Sequence, residues 1–129
     1  MLLVVAKCIM DTVIIILQLI VALGILNVWL LRASKVTPYR GRDANNLKEE
    51  FYAYGLNNFT FYCVGVLKLS AAVALFVGIA FPPARIFGAG VLVILMTGAI
   101  LMHVKVKDAA LKSLPATVML LMSILILVA

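Results

Sequence analysis

The chain has 129 residues, of which 66% are hydrophobic and 12% charged, where an ordinary soluble domain carries about 25% charged residues. That balance excludes a water-soluble enzyme. The apolar runs must span a bilayer, lie on it, or be buried in one bundle within it. The formal charge of +6 does not point to nucleic acid, because the basic residues sit between apolar runs and form no stripe with stacking aromatics. They read as topology signals and lipid-headgroup contacts.

In chain order, a first span is predicted over about residues 9–31, interrupted past residue 12 only by Gln18 and Asn27. The segment before it lacks a basic n-region and a small-residue cleavage site, so it reads as the retained start of that span. Lys7 precedes Asp11 by one helical turn, which predicts a local ion pair, and Asp11 and Gln18 share a helix face. A long connection follows, opening with "RASKVTPYRGR" and continuing as "DANNLKEEFYAYG". Leu47, Phe51 and Tyr54 recur there at helical spacing, which predicts an amphipathic interfacial helix over about 44–55. Asn46 with Glu49 fits an N-terminal cap, and Gly55 fits the C-terminal stop.

Further spans are predicted over about 58–81, ended by Pro82-Pro83, then 86–104 and 110–129, the last with Lys112 snorkelling to the headgroups. Short connections between the last three predict antiparallel neighbours. The fold class is therefore all-α, an integral membrane antiparallel four-helix bundle with an interfacial helix between the first and second spans. Gly65, Ala71, Ala72, Gly90, Gly98 and Ala99 are small residues expected at close helix contacts.

The cations are lopsided. Arg32, Lys35, Arg40, Arg42 and Lys48 lie in the first loop, and Lys105, Lys107 and Lys112 in the third, while only Lys7 and Arg85 lie on the other side. The positive-inside rule then places both basic loops in the cytoplasm and both termini outside. Cys8 and Cys63 fall near opposite membrane faces, so neither a disulfide nor thiol redox chemistry is supported. No Cys/His cluster has metal spacing.

Lys68 is the most informative single residue. It lies ~13 Å along the helix from Phe59, close to mid-bilayer, where a lysine costs about 2.5–3.5 kcal/mol and needs a partner. Neutral groups such as Thr97 and Asn27 are one choice. The other is Glu49 or Glu50 from the amphipathic helix, with Glu50 nearer the apolar face. His103 ends the third span on the same face as Lys107, as a dipole-compatible interfacial residue or a functional one. Tyr54 and Tyr62 are candidates to line an intrabundle cavity with Lys68 and His103.

"VGVLKLSAAVALFVG" (64–78), "LMTGAILMHVKVKD" (95–108) and "YRGRDANNLKEEFYAYGL" (39–56) resemble the DoxX-like family of small four-helix membrane proteins. The resemblance implies a functionally mixed group: some relatives are subunits of membrane oxidoreductase systems, including thiosulfate:quinone oxidoreductase, and a distant animal relative is the chaperone that assembles nicotinic receptors. In the broader group the second span usually carries a glutamate where this chain has Lys68, so an acid-based role does not transfer. No shared catalytic set comes with the fold. The leading expectation is a non-enzymatic accessory subunit or assembly factor, with a membrane protein or a second copy of the chain as partner. The alternative is an intrabundle binding protein, or an oxidoreductase component, for a lipid-soluble molecule such as a quinone or lipid.

Overall fold

The computed structural model describes residues 1–129. Four helical segments are long and apolar enough to cross a membrane: Leu2–Leu31, Asn58–Val77, Pro82–Lys105 and Ala110–Val128. The first consists of α1 (Leu2–Leu26) and a π-helical turn (Asn27–Leu31) that continues it. A short helix α2 (Leu47–Ala53) precedes α3 (Asn58–Val77), α4 (Pro82–Lys105) and α5 (Leu114–Val128). Single 3₁₀ turns occupy Gly41–Asp43 and Ala110–Ser113, and the chain has no strand.

Helix ends follow local chemistry. Asn57 caps α3 by accepting a hydrogen bond from the Thr60 N–H at 2.9 Å. Pro82 and Pro83 open α4 instead of merely closing the helix before it, because the first helical turn needs no N–H donor from them. The third span accordingly begins four residues ahead of the expected start, and α3 ends at Val77, short of the expected 81. Asn46 accepts from the Glu49 N–H at 2.8 Å, while the Glu49 carboxylate accepts from the Asn45 N–H at 2.9 Å. Gly55 stops α2 with φ +82°, a left-handed conformation open to glycine.

The four long helices close a ring of contacts: α1 packs on α3 and α5, and α4 packs on the same two. Val21, Ala22, Leu75, Leu92 and Ile126 fill its centre. Gln18 is buried among them and donates from Nε2 to the Leu75 carbonyl at 3.0 Å, so this span polar group is a tether between α1 and α3. Only 26 of 129 residues are buried, and large apolar side chains cover the outer faces of every long helix, as a bilayer requires.

Gly88 lets α4 approach α3, since a Cβ there would lie 2.9 Å from the Ala71 carbonyl oxygen. Gly90 and Gly98 depart from the expectation of close contact: a Cβ at either meets nothing. Lys7 and Asp11 form no ion pair either; both are exposed on the outer surface of α1, where pairing two flexible side chains gains little.

Candidate functional site

The site begins where α1 ends. The Arg32 N–H reaches back to the Asn27 carbonyl at 2.8 Å, and the widened turn carries Trp29, which is buried. The ring of Trp29 stacks on Phe61 at 5.3 Å and meets the edge of Phe51 at 5.7 Å. Gly65 makes room for it: a Cβ there would lie 2.9 Å from the indole. Above that indole, 5.4 Å from its centre, stands the Lys68 ammonium.

Trp29 and Lys68 line a cavity of about 310 Å³, together with Arg40, Glu50, Met96 and His103. A second cavity of about 330 Å³ lies beside it and shares Leu47, Glu50, Lys68, Ala99 and His103 as lining. Gly98 lines the second cavity, so this glycine and its neighbour Ala99 leave volume open where sequence alone suggested helix contact.

Lys68 forms no direct ion pair with Glu50 or Glu49, the partners expected for it, although Glu50 lines both cavities with it. Glu50 is engaged by other groups: Arg40 Nη1 donates to its Oε2 at 3.2 Å, and the Tyr54 hydroxyl donates to its Oε1 at 2.6 Å. A guanidinium folded back from the loop, with a phenol one helical turn along α2, satisfies both carboxylate oxygens. Arg40 also donates from Nη2 to the carbonyls of Arg32 (2.8 Å) and Lys35 (3.3 Å). Glu49 is exposed and serves only the cap. Thr97 donates to the Val93 carbonyl at 2.7 Å within its own helix and does not reach Lys68.

His103 is buried rather than interfacial. Its Nε2 lies 3.3 Å from the Tyr54 hydroxyl and 3.8 Å from Glu50 Oε1, and its Nδ1 lies 2.8 Å from Asp108 Oδ2. An ionised Asp108 can only accept, so Nδ1 carries the hydrogen of that bond. The backbone makes this contact: the Asp108 N–H bonds to the His103 carbonyl at 3.0 Å and the Lys107 N–H to the Val104 carbonyl at 3.1 Å, a Schellman closure of α4. Lys107, not glycine, takes the left-handed position at φ 59°. Asp108 also accepts the Arg42 N–H at 3.0 Å, from a turn in which Arg42 and Asp43 have φ of 49° and 58°. Three strained non-glycine residues thus surround one carboxylate.

Burial alone would raise the Asp108 pKa. The hydrogen bonds from His103 and the Arg42 N–H, with the charges of His103 and Lys112, outweigh it and hold the carboxyl below its ordinary range. The Tyr54 phenol is pushed the other way, well above its ordinary value, first by burial and then by the adjacent Glu50.

The remaining lysines of the third loop bind the two basic loops together at one end of the bundle. Lys105 donates to the Tyr54 carbonyl at 2.9 Å. Lys112 donates to the Arg40 carbonyl at 2.8 Å and pairs with Asp43 at 2.6 Å. Arg42 and Lys107 remain exposed. Tyr62, expected in the cavity, is instead 58% exposed and turned outward under Lys48, whose ammonium is 5.5 Å from its ring. Gln18 is likewise outside the site, in the core of the ring.

Sequence reading missed Trp29, Asp43 and Asp108 as site residues. Trp29 is the single tryptophan and sits beside Asn27 at a span end, a signal that was available. Asp108 was hidden because Lys107 gives no hint of a left-handed turn.

Compared with known proteins, the model of the DoxX-like family matches residues 16–126. No curated protein and no solved structure matches the chain.

Proposed function

The chain belongs to the DoxX-like family, and from that premise we propose that this integral membrane protein holds a lipid-soluble small molecule, a quinone or a lipid, between its helices. The observation that carries this reading is the cavity of about 310 Å³ containing Lys68 and walled by Trp29 and Met96. That volume is at the lower end of small-molecule sites, which run from about 300 Å³ upward. An ionisable residue within a span is kept for function more often than for packing. No covalent step is assigned to the protein's own residues.

In this reading the long helices run antiparallel, and α2 lies at the membrane interface. Its buried face of Leu47, Glu50, Phe51 and Tyr54 supports that placement. The basic end faces the cytoplasm. Fusing reporters to both termini tests the orientation, and neutralising the exposed Arg42 and Lys107 should weaken it.

Organic extraction of the purified protein followed by mass spectrometry tests the ligand. A molecule enriched over an unrelated four-span protein prepared identically, and lost from Ala99→Phe, is the expected result. No enrichment in the unaltered protein would remove the reading.

A role as accessory subunit or assembly factor is compatible with ligand binding and is favoured by one observation. Arg32, Lys35, Arg42 and Lys107 are exposed at the basic end, while Arg40 and Lys112 turn inward. Those four cations leave a basic surface for a partner. Purification in mild detergent that recovers only the chain itself at native expression would count against it.

A further inference from the structure

We infer that the occupant of the Lys68 cavity is an acid: an acyl-chain molecule whose carboxylate or phosphate head is held by Lys68 beside the charge of Arg40, its tail lying along Ile25, Met96 and Met119. This rests on the proposed ligand-binding function and names the class of ligand.

The charges that line the cavity are Arg32, Arg40, Lys68 and Lys112 against the single carboxylate of Glu50. Two of those cations are spoken for, since Arg40 pairs with Glu50 and Lys112 with Asp43. Lys68 is not: it forms no ion pair, and its contact is the face of Trp29 at 5.4 Å. An aromatic face attracts an ammonium but accepts none of its three hydrogen bonds well. Arg40 adds a second positive charge beside Lys68. It is 4% exposed and lines the cavity, yet its Nε is buried without an acceptor while both other nitrogens are bonded.

An ammonium that lines a cavity with its hydrogen bonds unmet calls for oxygen acceptors that the protein does not provide. A neutral carbonyl answers the hydrogen bonds but not the charge. An anionic head answers both, through charge-assisted bonds. The walls restrict the rest of the molecule. Ile25, Val28, Leu47, Met96, Ala99 and Met119 are apolar, so the remainder of the ligand is hydrocarbon. Methionine at two of those positions suits a flexible tail.

Trp29 is the single tryptophan of the chain and lines the cavity, so its emission reports occupancy. The full chain in detergent micelles or neutral nanodiscs is titrated with laurate, dodecyl phosphate and dodecanol, which share one tail, and with inorganic phosphate. The two acids should change Trp29 emission saturably and bind at least about tenfold more tightly than the alcohol, the worth of one charge-assisted hydrogen bond. Lys68→Gln should lose that preference and Lys68→Arg should keep it. The comparison of acid with alcohol uses the unaltered protein, so it decides even where Lys68→Gln does not fold.

Equal affinity for laurate and dodecanol overturns the inference. Inorganic phosphate binding as tightly as dodecyl phosphate overturns the lipid tail and assigns the head-group site to a free anion. A decyl-substituted benzoquinone that stabilises the protein against heat where laurate does not leaves the ligand-binding function standing and overturns the acid. Failure of every probe, with nothing enriched on extraction, removes both.

Discussion

His103 and Asp108 hold each other twice across the end of α4, through side chains at 2.8 Å and through the backbone at 3.0 Å. The side-chain bond sets the imidazole so that Nε2 looks toward Tyr54 and Glu50, and the backbone bond fixes where the third loop departs. One short turn therefore couples the wall of a membrane cavity to the polar end of the bundle.

Asp108→Asn keeps the shape and removes the charge. It should destabilise the protein by about 1–3 kcal/mol, because His103 and the Arg42 N–H lose an ionised acceptor. The folded pKa of Asp108 is depressed, so its stabilisation is fully present above the ordinary carboxylate value of about 4 and is lost as pH falls through the depressed one. Thermal unfolding in detergent should show the wild type converging on Asp108→Asn as the solution is acidified. Parallel curves down to strong acid would contradict the assigned bonds.

Lys107→Gly should stabilise the protein by up to about 1 kcal/mol. Lysine at φ 59° carries the steric penalty of the left-handed region, which glycine lacks. Part of the gain is offset by the greater freedom of glycine in the unfolded chain. A lowered melting temperature would mean that the lysine side chain is bound where this structure leaves it exposed.

Arg40 and Glu50 should behave as a unit. Arg40→Met or Glu50→Gln alone should cost about 3–5 kcal/mol, by leaving a buried charge or its donors without a partner. The double variant should cost less than the sum, and a thermal double-mutant cycle measures the coupling. The same cycle on Glu50 and Lys68 should give the smaller coupling, since those two form no ion pair.

Tyr54→Phe removes the 2.6 Å bond to Glu50 and should cost about 1–2 kcal/mol at neutral pH. The folded-state pKa of Tyr54 is raised, so its stabilising contribution is present below the ordinary phenol value of about 10 and declines as pH rises beyond it. The phenylalanine variant should lack that part of the alkaline decline, which unfolding midpoints measured on either side of pH about 10 would reveal.

Gly65→Ala puts a methyl 2.9 Å from the Trp29 ring. Overpacking of this kind costs about 1–3 kcal/mol. Because Trp29 is also the fluorophore, a shift in its emission should accompany the loss of stability. Ala introduced at Gly90, inside α4 where a Cβ meets nothing, should leave the emission unchanged without lowering stability, since alanine favours a helix over glycine, and is the control.

Composition and periodicity were enough for the membrane, the four long helices and the capped helix between the first two, because a bilayer imposes span length and one-sided burial on every such chain. Lys68 stood out for the same reason: a charge in the middle of an apolar run is expensive wherever the helices go. Its surroundings were not legible, since which carboxylate meets which cation depends on where the loops fold. Arg40 reaches Glu50 only because the first loop turns back, through left-handed residues at Arg42 and Asp43, onto an Asp108 that itself depends on a left-handed Lys107. None of those three positions is a glycine, the residue that ordinarily marks a left-handed turn. Gly65 and Gly98 read alike in the sequence, yet one admits an indole and the other borders open volume. Helix packing made that difference, because spacing along one helix says nothing about what the neighbouring helix presents.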